Sequence, residues 1–211
     1  MIKIFLALSL ALTSVVVHAD GLKTLETFLR DVTGGQARFT QVVTSPLRAG
    51  ETQARTKTST GTFEFLRPNR FRFDYNNPFP QAIVADGQTL WLHDVDLNQV
   101  TARRQQDVLG STPAALIASG TDLKALGESF ELKSAPSAQG LDWIDAKPRQ
   151  QNGQLQRVRV GWRQGQLAVL EIADSLGQRS VLTFTEWQPA SSVATERFRF
   201  TPPAGADVIR P

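Results

Sequence analysis

Between residues 62 and 187 the chain reverses direction repeatedly. Short runs of alternating apolar and polar residues are divided by the turn dipeptides Asp86-Gly87, Asn152-Gly153, Gln164-Gly165 and Leu176-Gly177. Turns this tight join antiparallel neighbours, whereas parallel strands need a crossover of about a dozen residues, so the pattern confines the chain to an antiparallel meander. Strands read at 37–44, 62–66, 71–75, 83–85, 89–93, around Val100, and at 130–133, 141–145, 154–162, 166–174 and 180–187, about eleven in all. A twisted sheet of that size curls, closes or packs on itself. Phe63 and Phe65 share one face, as do Phe71, Phe73 and Tyr75, with Arg70, Arg72 and Asp74 opposite. So much aromatic surface is not left in water. Either the sheet packs on itself or helices cover an apolar concave side.

The chain supplies such covers. Leu22, Leu25, Leu29 and Val32 recur at helical spacing and predict a helix that Gly34-Gly35 stops. Ser111-Thr112-Pro113 opens a mid-chain helix over 114–119 that ends at Gly120, and a further helical turn over 122–126 ends at Gly127. The polar run 48–60 reads as a long hairpin or a mobile loop. No linker divides the chain, which predicts one domain over residues 20–211.

Residues 1–19 read as a secretory leader. Lys3 precedes the apolar run 4–17, and Val17-His18-Ala19 forms a small-residue cleavage site before Asp20. Fourteen helical residues span about 21 Å, short of the roughly 30 Å of a hydrocarbon core, which favours cleavage over anchoring. The remaining chain holds 22 Lys and Arg against 20 Asp and Glu. A net charge of +2 gives no basic stripe of the kind nucleic-acid binders carry, so no nucleic-acid partner is expected. The reading is of an exported protein, in the periplasm of a double-membraned bacterium or secreted.

Catalytic chemistry finds little to use. There is no Cys, and with the leader removed His93 is the one imidazole; no G-x-S-x-G elbow accompanies it. Asp94-Val95-Asp96-Leu97-Asn98 opens like a calcium loop, but Gln99 and Gln105 stand where that loop requires Gly and Glu. It reads as a polar turn, and no metal or cofactor is expected. Arg67, Arg70 and Arg72 interleave with aromatics in a run that superficially suggests a stacking platform. Two adjacent strands with apolar faces inward and charges outward account for it better, given the weak net charge and the exported location. Arg67 differs from the others because it ends a strand before Pro68, where the chain must turn. Its five-donor fork could cap several carbonyls there, which makes it a candidate latch.

Taken in order, Arg38-Phe39-Thr40-Gln41, Gly61-Thr62-Phe63, Arg67-Pro68-Asn69, Phe71-Arg72-Phe73, Asp86-Gly87 with Leu90-Trp91, Thr112-Pro113, and Phe198-Arg199-Phe200-Thr201-Pro202-Pro203 resemble the outer-membrane lipoprotein carrier family, LolA. The resemblance implies a mainly β fold with short helices: a curved, antiparallel, incomplete β-barrel closed by a helical lid over a hydrophobic cavity. It implies a monomeric, non-enzymatic periplasmic carrier. Its cargo would be acylated lipoproteins, taken from an inner-membrane ABC-type release complex and passed to an outer-membrane lipoprotein receptor. By the same resemblance Arg67 holds the lid closed and Phe71 meets cargo. Leu25, Leu29, Phe63, Phe65, Phe73, Trp91, Leu116 and Ile117 join Phe71 as candidate cavity residues. The sister receptor family is lipid-anchored through a Cys, which this chain lacks. Two readings compete: a carrier of another amphiphile, such as a glycolipid, on the same fold, and a structural or envelope-stress sensing domain with a filled interior.

Overall fold

Two meanders meet at one strand. In the computed structural model, which describes residues 20–108, 112–118, 122–150, 153–189 and 193–211, helix α1 (Gly21–Asp31) is followed by β1 (Gly34–Thr44), the seam. The first meander runs through β2 (Thr56–Leu66), β3 (Arg70–Asn77), β4 (Gln81–Asp86), β5 (Thr89–Asp94) and β6 (Gln99–Arg104). Short helices α2 (Gln105–Val108), α3 (Ala115–Ala118) and α4 (Leu123–Ser129) cross to the second, made of β7 (Phe130–Ala138), β8 (Leu141–Pro148), β9 (Leu155–Arg163), β10 (Gln166–Asp174) and β11 (Arg179–Pro189). A 3-10 turn (Thr195–Phe198) and β12 (Asp207–Ile209) end the chain. The expected leader lies outside the described residues, as do Ser111, Ser119, Gly120 and Asn152. Among the described residues no helix is long and apolar enough to cross a membrane.

The sheet order is β12-β6-β5-β4-β3-β2-β1-β11-β10-β9-β8-β7. Its two edges do not pair, so the barrel is incomplete, as expected. Twelve strands stand among the described residues where about eleven were expected. The addition is β12, which pairs parallel with β6. Irregularities at Gln36/Arg38, Thr60/Gly61 and Leu167/Val169 bend the strands, and bulges of this kind add local twist and curvature. A Cβ at Gly61 would run into the Asp74 carbonyl and the Phe39 ring, so glycine there lets a ring cross the strand.

Local chemistry accounts for most boundaries. Gln164 and Gly165 both have positive φ, 52° and 77°, the backbone of a type I′ turn. Asp86 accepts from the N–H groups of Gln88 and Thr89 at 2.8 and 2.7 Å and closes the β4–β5 hairpin. The run 48–60 resolves as a hairpin: β2 begins at Thr56, opposite Thr44, and Ser45 N–H donates to the Arg55 carbonyl at 2.9 Å. Asp20 caps α1 through the Leu22 N–H at 3.0 Å. That helix ends at Asp31, before the Gly pair expected to stop it. Gly34 and Gly35 instead begin β1, where the Trp187 ring leaves Gly35 no room for a side chain. The second mid-chain helix likewise runs through Gly127, from its Asp122 cap to Ser129.

The convex face of the first meander is covered by the chain's own C-terminal segment. Arg197 grips the Glu64 carboxylate with two nitrogens at 3.0 and 2.7 Å. Phe198 is buried, and Phe200 lies 5.4 Å from Trp91 and 5.7 Å from His93, centroid to centroid. The other face, concave, holds the aromatic core.

Candidate functional site

Cross-strand rows build the concave face. Register places Ala37, Phe63, Phe73, Ile83, Leu92 and Thr101 side by side across six strands. Side chains on a strand alternate in direction, so one such row lies on one face. Rings link its parts. Tyr75 meets Phe39 at 5.0 Å, Phe39 meets Phe73 at 5.7 Å, and Phe73 meets Phe63 at 4.5 Å. The chain of rings then continues through Phe65 to Phe28 and Trp162.

This face is filled at one end and hollow at the other. At the filled end α1 lays Leu25, Phe28 and Leu29 over Phe63, Phe65 and Trp162, and α3 adds Leu116 and Ile117; all are essentially inaccessible to water. The hollow is a cavity of about 800 Å³. Phe71, Phe73, Ile83, Leu90, Leu170 and Leu182 are prominent in its wall, and Val108, Thr112, Pro113 and Ala114 border it from the crossing between the meanders. That volume lies within the roughly 300–1,000 Å³ typical of small-ligand pockets. Tyr75 stands in the wall, and burial pushes its phenol up to about 12. Among the described residues no cluster of His, Asp and Glu is arranged to hold a metal.

Arg67 stands within the filled end, between α1 and α3. One guanidinium nitrogen donates to the carbonyls of Phe28 at 3.2 Å, Leu29 at 3.4 Å and Val32; the other donates to Ile117 at 2.7 Å. The acceptors belong to the last turns of α1 and α3, where carbonyls lack helical partners and partial negative charge accumulates. A cation with several fixed donors suits such a place. Among the described residues Arg67 makes no ion pair, and its Nε has no hydrogen-bond partner. Phe28 and Phe65 rings lie 4.9 and 5.3 Å from its guanidinium carbon. Burial pushes its pKa down to about 10, which leaves it cationic at neutral pH. The adjoining turn is tied to the same cover: Asn69 N–H donates to the Ala118 carbonyl at 2.8 Å.

Among the residues singled out from sequence, Phe71 and Phe73 are on the cavity wall. Leu25, Leu29, Phe63, Phe65, Leu116 and Ile117 form the filled end. Trp91 lies on the convex face, its indole N–H donating to Asp86 at 2.9 Å. Sequence reasoning missed Leu90, Ile83, Leu170, Ile172 and Leu182. Strand alternation offered the signal for Leu90, because it is one residue from Trp91 and therefore on the opposite face.

Comparison with known proteins agrees with this architecture. The family model described as "Outer membrane lipoprotein carrier protein LolA" matches residues 30–201. An outer-membrane lipoprotein carrier protein of Albidiferax ferrireducens is 57% identical over 99% of both chains. One of Methylibium petroleiphilum is 49% identical, covering 98% of this chain and 97% of its own. Among solved structures, a LolA superfamily protein of Nitrosomonas europaea matches 85% of this chain and 96% of its own with a TM-score of 0.50. At 12% identity that likeness speaks for the fold alone. With the half-barrel, the hollow and the Arg67 junction in place, these matches establish that the chain belongs to the outer-membrane lipoprotein carrier family, LolA.

Proposed function

We propose that this chain escorts the acyl chains of lipoproteins across the periplasm. It receives them from an ABC-type release complex in the inner membrane and passes them to a lipoprotein receptor in the outer membrane. Residues 1–19 direct export and are removed, and the single domain from residue 20 works as a monomer without catalysis or a cofactor. The observation that carries the reading is an apolar hollow beside a helical cover held by one cation. Each CH₂ kept from water is worth about 0.8 kcal/mol, so several acyl chains crossing unescorted would cost tens of kcal/mol. A carrier that must also release without fuel cannot keep all of that gain. Breaking the Arg67 contacts on loading and reforming them on release offsets part of it, as differential affinity for open and closed forms requires. The filled end supplies the extra room, since long acyl chains exceed a pocket of small-ligand size.

The test adds purified residues 20–211 to spheroplasts of a double-membraned bacterium and probes the supernatant for a triacylated lipoprotein. Soluble one-to-one complexes are expected. If none form with a compatible release complex present, and extracted protein instead carries a glycolipid, the cargo is another amphiphile.

A further inference from the structure

Two inward-facing stripes change character toward the same end of the hollow. On β3 Phe71 and Phe73 give way to Tyr75, and on β10 Leu170 and Ile172 give way to Asp174; all six border the cavity. Register aligns the two changes. Asn77 faces Thr60, Thr56 faces Thr44, and Arg179 faces both Thr44 and Ala173. An amphiphile in the hollow would lay its hydrocarbon on the apolar stretch and present its polar linkage at this end.

The polar side chains there are engaged, with one exception. Asp174 accepts from the N–H groups of Leu176 and Gln178 at 2.9 and 2.8 Å. The Gln41 amide, also in the wall, donates to the Ser180 hydroxyl at 2.5 Å. The Tyr75 hydroxyl has no hydrogen-bond partner among the described residues. Its ring is held in place: Phe39 crosses β2 above Gly61 and meets it edge-on, centroids 5.0 Å apart. Among the described residues the fully enclosed side-chain atoms without a partner are Arg67 Nε and Trp162 Nε1, so the Tyr75 oxygen touches open space. Yet desolvation pushes this phenol up to about 12. A hydroxyl that is neither bonded nor enclosed, and still poorly hydrated, opens onto the hollow its residue borders. Arg103 and Gln154 border the hollow as well but are exposed to water, and Thr101 lies three strands away on β6.

An acyl chain is joined to its carrier group through a carbonyl, an acceptor with no donor of its own. Inside an apolar cavity that carbonyl loses its hydrogen bonds to water, and a lone phenol has lost its own. Pairing the two removes both penalties. Side chains two apart on a strand are about 7 Å apart, so a chain whose carbonyl meets Tyr75 runs along Phe73 and Phe71.

We propose that the Tyr75 hydroxyl donates to an acyl ester carbonyl of the bound lipid, and so sets the depth to which the chain enters the hollow. The proposal rests on the carrier reading and names the linkage that its site reads.

The test gives residues 20–211 two peptides, one bearing a diacylglyceryl group and the other its dialkyl ether counterpart, which lacks only the two ester carbonyls. Tyr75→Phe keeps the ring against Phe39 and removes the donor. The ratio of ester to ether affinity should be about tenfold higher in wild type than in this variant, since a site built to hydrogen-bond a group discriminates against the analogue lacking it. With an isotope-labelled ester, the infrared carbonyl band should move to lower frequency in the wild-type complex and return in the variant. A ratio unaltered by the substitution, including equal weakening of both peptides, overturns the hydrogen bond and leaves the carrier. An unshifted carbonyl band in the wild-type complex overturns it too, whatever the variant does. Failure of wild type to capture either peptide overturns the carrier reading, and the anchor with it.

Discussion

The two ends of the concave face belong to one continuous sheet yet differ in what covers them. Where α1 and α3 lie down, Phe28, Phe63, Phe65 and Trp162 interlock with no accessible surface to speak of. On the neighbouring strands β3, β4 and β5, Tyr75, Ile83, Leu90 and Leu92 face a hollow. The difference does not come from apolar content, which is high in both. It comes from backbone acceptors: the helix ends at the filled side need the Arg67 guanidinium, and that requirement fixes where the cover rests. Stability and capacity are therefore divided along one surface, with the cation inside the filled part.

Breaking the filled end should cost most. Phe65→Ala removes a fully buried ring between Phe28 and Phe63, and urea unfolding should show a loss of about 3–5 kcal/mol. Arg67→Leu deletes donors to four carbonyls at the ends of α1 and α3. About 2–3 kcal/mol should be lost, since buried acceptors stay unpaired. The cover should open more readily, take up an apolar fluorescent probe faster and hand cargo over more slowly. Delivery at the wild-type rate would sink the latch. Ile83→Ala, on the hollow side, should cost only about 1 kcal/mol because the half-buried side chain leaves space that already exists. Leu92→Trp should change stability by less than about 0.5 kcal/mol while lowering probe affinity, read by fluorescence titration, because the ring occupies the hollow.

The smallest effect is a titration. Tyr75 is the only tyrosine, and burial pushes its phenol up to about 12 from an ordinary 10. Phenolate absorbance should therefore appear well above pH 10 in the folded protein. The unfolded chain ionises first, so the folded state holds more protons between about pH 10 and 12 and stability falls as pH rises through that window. Ionisation near pH 10 in the native protein would mean that the wall is wetter than its burial indicates.

The meander was legible because turn chemistry and alternation are local. Strand β10 falls on the expected 166–174, and Gln164-Gly165 turns as read. Arg67 was legible for a similar reason: a five-donor side chain before a proline turn has few other uses. Its four acceptors were not legible, since Phe28 and Ile117 come to it only through packing. Faces were harder. Trp91 and Leu90 are neighbours on opposite sides, and bulk favoured the indole although it is the leucine that reaches the hollow. The helix expected to stop at Gly34-Gly35 ends earlier because those glycines belong to β1, where Gly35 makes room for the Trp187 ring, a partner far along the chain. The role of Phe198 and Phe200 in covering the convex face is hidden likewise, because no local pattern says which strands a terminal segment will cross.

The seam at β1 has a kinetic consequence. One side of β1 is met at once by β2, but the other waits for β11, so that Phe39 finds Phe184 only after nearly the whole sheet has been synthesised. Pairings of such high sequence separation form late and slowly. Until they do, the long free edge of β1 and the rings beside it have no cover, and the two meanders are separate half-sheets. A nascent chain of this design stays pliable through most of its length and commits to its final shape only when its last long strands arrive.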